Sequence, residues 1–152
     1  MTGKIKVLFI CHGNICRSTM AQYVFQHMVD SQGRSDEFYI DSAATSYEEI
    51  GNGVHHGTRN KLREVGIYCG DHKARRMTVE DYENFDYLIG MDRENAYNMR
   101  RIVGGDPDNK MYSLLSFAGL SRDIADPWFT GDFDATYRDV CLGLEAFLKK
   151  FD

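Results

Sequence analysis

Between Cys11 and Ser18 the chain reads Cys-His-Gly-Asn-Ile-Cys-Arg-Ser, and three of those side chains bear on phosphate chemistry. A thiolate is a strong nucleophile. The guanidinium of Arg17, five residues beyond Cys11, can hold two phosphate oxygens in its planar fork. The hydroxyl of Ser18 follows at once. The residues between, His12, Gly13, Asn14, Ile15 and Cys16, suit a tight loop whose backbone N–H groups turn inward as a nest for an anion. Gly13 lets the backbone come close, and Asn14 is one of the few non-glycine types that tolerate a left-handed conformation. Cys11, below the nest, feels the same positive field. A helix dipole contributes about 0.3–1 kcal/mol at an exposed site, and a hydrogen bond to a charged group about 1.5–3 kcal/mol. The loop amides, Arg17 and Ser18 must therefore supply most of what stabilises a thiolate here.

The bare Cys-x5-Arg spacing is a weak signal; its setting makes it a strong one. Ile5 to Ile10 is almost wholly apolar, as in a strand buried on both faces, and Cys11 falls at its end. From Arg17 to about Val29, Met20, Ala21, Val24, Phe25 and Met28 recur at helical steps. The loop thus lies between a strand's carboxyl end and a helix start, where unpaired N–H groups favour anions. The competing interpretation is a buried cysteine in a strand–helix turn, with Arg17 on a solvated helix face.

The remaining elements alternate. Phe38 to Ala44 reads as a second strand, with small residues at its end, and Thr45 to Gly57 as a loop in which Tyr47 reaches the mouth of the site. Thr58 to Val65 reads as a short helix closed by Gly66. Thr78 caps a helix with an acidic first turn. Phe85 to Gly90 is a third strand, Arg93 to Val103 a helix, Met111 to Leu115 a weaker fourth strand, and Phe133 to Phe151 a final helix. The expected fold is α/β: one domain over residues 1–152, a doubly wound sheet of four parallel strands with helices on both faces and a phosphate-binding loop after strand 1. Ligands of such sheets bind beyond the carboxyl ends of the strands. Cys11, Ser42 and Asp92 all fall at such ends.

Composition narrows the class. The 152 residues, 43% apolar and 27% charged, suit one globular domain with a sizeable core. The formal charge of −5 argues against nucleic acid as the main partner. No run approaches a membrane span and the first residues lack a signal-peptide pattern. With four cysteines the expectation is a reducing cytoplasm. His55-His56 lacks the spacing of a ligand set, so no metal is expected. Basic residues at 59–63, 73–76 and 100–101 read as solvated helix faces.

These stretches together resemble the low-molecular-weight protein tyrosine phosphatases. The resemblance rests on Val7 to Ser18, Asp-Ser-Ala-Ala-Thr at 41–45, Asp-His-Lys-Ala-Arg at 71–75, Met-Asp at 91–92 and Asp-Pro-Trp-Phe at 126–129. It implies hydrolysis of phosphotyrosine monoesters, in proteins or small aryl phosphates, through a phosphocysteine on Cys11, with no cofactor. Arg17 and the loop amides would hold the phosphate. Asp126, whose direction Pro127 restricts, would be the general acid and then the base. Ser42 and His72 would steady Asn14. Tyr47, Trp128 and Phe129 are the candidate walls of a slot deep enough for an aryl phosphate. The related arginine phosphatases carry threonine at the position of Ile15, so isoleucine points to phosphotyrosine. Where the family often has two tyrosines after Asp-Pro, this chain has Trp128 and Phe129, which excludes tyrosine phosphorylation there. Cys16 is either a small buried filler or a resolving thiol for oxidised Cys11. A monomer or weak dimer is expected.

Two other enzymes share the resemblance, a phosphoarginine phosphatase and a thiol-dependent arsenate reductase. The second needs further cysteines to relay a disulfide, and none lies between residues 78 and 92. A phosphotyrosine-binding module or a phosphocysteine carrier would not need Cys11, Arg17 and Asp126 together.

Overall fold

The computed structural model describes residues 3–152. Four strands, β1 (Ile5–Cys11), β2 (Phe38–Ala44), β3 (Tyr87–Gly90) and β4 (Met111–Ser113), form one parallel sheet in the order β2-β1-β3-β4. β1 is central because its run is apolar on both faces. Val7 and Phe9 enter one core with Phe25, Leu144 and Phe147. Leu8 and Ile10 enter the other with Tyr82, Leu88 and Met99. This alternation is the two-residue period of a strand, and it requires helices on both sides.

The first core is covered by α1 (Arg17–Ser31), α2 (His56–Glu64) and α6 (Phe133–Lys149), the second by α3 (Val79–Asn84) and α4 (Arg93–Val103). Edge-on and tilted ring pairs link Phe25 to Phe9, Phe38 and Phe147, with centroids 5.3–5.9 Å apart. Such pairs add about 0.5–1.5 kcal/mol each beyond area burial. A capping box at Thr78 starts α3, and α4 stops at Gly104, whose φ of 90° suits a residue without a Cβ.

Four boundaries differ from the sequence expectation. α2 begins at His56, inside the expected loop, because the His55 side chain accepts from Gly57 N–H and caps it. β3 starts at Tyr87, since Phe85 leaves the ladder to pack beside Tyr82. β4 ends at Ser113, and Leu114–Ala118 forms a 3₁₀ turn. Leu114 is drawn under α6, where its Cγ lies 2.6 Å from where a Cβ on Gly143 would be. Finally, Pro127–Thr130 is a single helical turn, α5, with Asp126 as its N-cap. Proline at the first helical position loses no needed hydrogen bond.

Candidate active site

The loop from Cys11 to Ser18 wraps the Cys11 sulfur. Asn14 N–H and Ser18 N–H point at Sγ from 3.3 and 3.4 Å, and the Ser18 hydroxyl lies 3.0 Å away. Asn14 takes the left-handed conformation, φ 61°. The loop is held from outside through its carbonyls. Thr45 N–H donates to Cys11 O, Ser46 N–H to His12 O and His55 N–H to Ile15 O. The Thr19 and Thr58 hydroxyls donate to Cys16 O. With the carbonyls drawn outward, the N–H groups of Gly13, Ile15, Cys16 and Arg17 find no acceptor among the described residues. That inward set of donors is an oxyanion cradle.

Asn14 is the post that fixes the cradle. Its Nδ2 donates to Ser18 Oγ at 2.8 Å and Ser42 Oγ at 2.9 Å. Its Oδ1, an acceptor only, faces His72 Nε2 at 2.7 Å and Arg75 N–H at 3.3 Å. His72 therefore carries its proton on Nε2. Burial lowers the His72 pKa, opposed by Asp41 and assisted by Arg75. At Gly13 a Cβ would stand 3.2 Å from Glu49 Cγ, so a larger residue there would have to displace that side chain.

Arg17 is fully buried at the start of α1. Its Nη1 donates to Asp92 at 2.7 Å and to Ile124 O at 2.9 Å, and its Nη2 reaches Asp126 at 3.4 Å. Burial works against its charge, but Cys11, Asp92 and Asp126 outweigh it and raise its pKa. Asp92 thus aims the guanidinium from the end of β3, a role that its strand-end position only hinted at. Asp126 Oδ1 accepts from Trp128 N–H at 3.0 Å, leaving Oδ2 toward the cavity.

Cys11, Arg17 and Asp126 share one cavity of about 230 Å³. Its floor is the loop, including His12, Gly13, Ile15 and Cys16, and one wall is Trp128 with Phe129. Those two rings are 57% and 83% exposed and stand over the site. The expected wall at Tyr47 is corrected: its ring lies outside the cavity under the Arg76 guanidinium, 4.3 Å away. The cause is a turn in which Ser46 Oγ accepts from Glu48 N–H. It sends Glu48 and Glu49 to the cavity instead, with Glu48 2.8 Å from His12 Nε2. Nothing in the run Tyr-Glu-Glu signalled which side chain would turn inward.

Cys16 packs with Ile15, Ala74 and Phe133. Burial first, then the negative Cys11 and Asp126, push its thiol up to about 12. His55 and His56 stack on each other, and the His55 ring also meets Trp128 edge-on at 5.5 Å and Phe133 face-on at 5.5 Å. His55 thus packs between the turn that follows Asp126 and α6, a contact that only the folded chain reveals.

A sequence model described as low molecular weight phosphotyrosine protein phosphatase matches residues 6–152. A Bacillus subtilis protein named low molecular weight protein-tyrosine-phosphatase YfkJ is 36% identical over 146 residues, covering 95% of this chain and 94% of that one. The crystal structure of YfkJ superposes with a TM-score of 0.94 at 35% identity, over 98% of this chain and 95% of that one. A mouse protein named low molecular weight phosphotyrosine protein phosphatase is 37% identical over 97% of this chain and 96% of its own length. The structure titled DARP, drosophila arginine phosphatase, has a TM-score of 0.86 at 30% identity, over 97% and 96% of the two chains. On this evidence the chain belongs to the low molecular weight phosphotyrosine protein phosphatase family.

Proposed function

We propose that the chain is a protein tyrosine phosphatase that hydrolyses phosphotyrosine monoesters in two steps on Cys11. The observation that carries this reading is the donor ring around the Cys11 sulfur, in one cavity with Arg17 and Asp126. The Cys11 thiolate attacks phosphorus in line. The free loop amides and Arg17 Nη2 stabilise the equatorial oxygens. Asp126 gives its proton to the departing phenolate, the S–P bond forms and the P–O bond breaks. Asp126, now ionised, then takes a proton from the water that attacks phosphorus, and inorganic phosphate leaves with the sulfur again a thiolate. Ser18 donates to that sulfur as it forms and leaves. The site residues supply positive field and both proton transfers.

Phosphotyrosine fits because its phosphorus stands about one ring further from the backbone than that of phosphoserine. The Trp128 and Phe129 rings and the buried Ile15 offer apolar surface to that ring. The substrates are phosphotyrosine proteins or small aryl phosphates, without nucleic acid, acted on in the cytoplasm by a monomer or weak dimer. Turnover of p-nitrophenyl phosphate in EDTA, beside phosphotyrosine, phosphoserine, phosphoarginine and arsenate, tests the reading. The expected result is EDTA-resistant turnover that favours phosphotyrosine and vanishes in Cys11→Ser. Faster turnover of phosphoarginine or arsenate would overturn the substrate class, and an active Cys11→Ser the mechanism.

A further inference from the structure

We infer that a second concavity, between Thr45, Arg76 and Arg101, binds an oxyanion of phosphate or carboxylate type. Thr45 Oγ1 is buried and has no hydrogen-bond partner, and Thr45 as a whole is only 7% exposed. A buried hydroxyl left unpaired is destabilising, so its persistence asks for a partner. Thr45 lines a concavity of about 120 Å³ with Arg76, Asn98, Arg101 and Ile102. Two of those five residues are cations and none is an acid.

Neither arginine is neutralised. Arg75 grips Asp41 and Asp81, but Arg76 and Arg101 join no ion pair among the described residues. Arg76 Nε donates to Thr45 O at 3.2 Å, which leaves its terminal nitrogens without acceptors. Arg101 has only Asn98 Oδ1, at 3.5 Å. In a chain of net charge −5, two adjacent unpaired guanidiniums are notable. Both are also pre-positioned by tyrosine rings, Arg76 over Tyr47 at 4.3 Å and Arg101 over Tyr97 at 5.8 Å.

The backbone beneath is fixed. Ala44 bridges Arg76, Met77 N–H donates to Ala44 O, and Thr45 N–H donates to Cys11 O at 3.0 Å. Asn98, Arg101 and Ile102 share one face of α4 at three- and four-residue steps. The same chemistry fits free phosphate or an acidic group carried by a substrate chain. In either case Thr45, which lines the concavity, also donates its N–H to the carbonyl of Cys11.

Inorganic phosphate titrated into ¹⁵N-labelled protein, followed by amide shifts, tests this without reference to turnover. The expected result is that Thr45, Asn98 and Ile102 follow an isotherm distinct from that of Gly13 and Ser18. In Arg101→Gln, an exposed change, that isotherm should weaken by at least about tenfold while the Gly13 isotherm stays put. Thr45→Val, which keeps the shape and removes the orphan hydroxyl, should weaken it too and leave the fold intact by its own spectrum. A single isotherm for all five amides, or unchanged midpoints in both variants, would overturn the inference. A second arm assigns the source. If the kcat/KM ratio of aspartate-flanked over neutral phosphotyrosine peptides drops toward one in Arg101→Gln, the anion belongs to the substrate chain. If that ratio is unchanged while the first result holds, the anion is free.

Discussion

In the proposed mechanism an arriving phosphate competes with Asp126 Oδ2 for the Arg17 guanidinium, 3.4 Å away at rest, and the carboxyl group, protonated in that complex, faces the leaving oxygen. The proton matters in proportion to how badly the oxygen leaves. Phenol titrates near 10, so Asp126→Ala should slow phenyl phosphate turnover by about 10²–10⁴ and p-nitrophenyl phosphate far less. Steady-state rates on the two esters check this; a loss below tenfold with phenyl phosphate would remove Asp126 from the role. Cys16 shares the loop without sharing the chemistry. Its thiol, pushed up to about 12, stays protonated in the reduced enzyme. Oxidation of Cys11 by peroxide to a neutral sulfenic acid removes the charge that contributes to that shift. Cys16 sulfur can then attack Cys11 sulfur and expel the hydroxyl as water, giving a disulfide. Brief peroxide treatment should therefore leave activity that dithiothreitol restores in wild type and not in Cys16→Ser. Wild-type inactivation that thiols cannot reverse would count against that use of Cys16.

At the scale of elements, the end of β3 and the start of α4 act as one part. Asp92 Oδ1 accepts from Asn95 N–H at 2.7 Å and caps α4, while Oδ2 holds Arg17 at 2.7 Å. Asparagine caps about as well as aspartate but brings no charge. Asp92→Asn should keep cooperative unfolding and lose about 10–100-fold in kcat/KM, the worth of one charge-assisted hydrogen bond; wild-type kcat/KM in a well-folded variant would sink that assignment. The same elements show what local sequence can and cannot say. β1 and α1 were legible because their apolar periods lie within the segment itself, and α4 because Gly104 closes it. The loop was legible because strand, glycine, asparagine and helix start follow one another. β4 was overestimated because Leu114 answers to α6 rather than to its own strand. Tyr47 was misplaced because the Ser46 turn decides which neighbour faces the cavity, and the His55 packing depends on Phe133, far away in sequence.

Over the whole molecule, two histidines tie stability to pH. Burial lowers the pKa of His72 and of His55, where His56 adds to the effect. The folded state therefore binds fewer protons than the unfolded chain, whose histidines titrate near 6.5, and stability rises with pH across that window. The contribution is complete above the unfolded value and is lost as pH falls below it. Urea midpoints should drop between about pH 7 and pH 5, and His72→Gln, which keeps a donor for Asn14 but does not titrate, should flatten the slope. A slope unchanged in that variant would remove His72 from the account. No helix among the described residues is long and apolar enough to cross a membrane, and the family assignment covers the chain from residue 6 to its last residue.

In the proposed mechanism the Cys11 sulfur carries the phosphoryl group between the two steps. Rapid quenching of Asp126→Ala during turnover of p-nitrophenyl phosphate, followed by peptide mapping, tests this most directly. The good leaving group lets the first step proceed, and loss of the base slows the second. The account predicts a phosphorylated peptide modified at Cys11; quenched enzyme without phosphate, or with it on another residue, would contradict it.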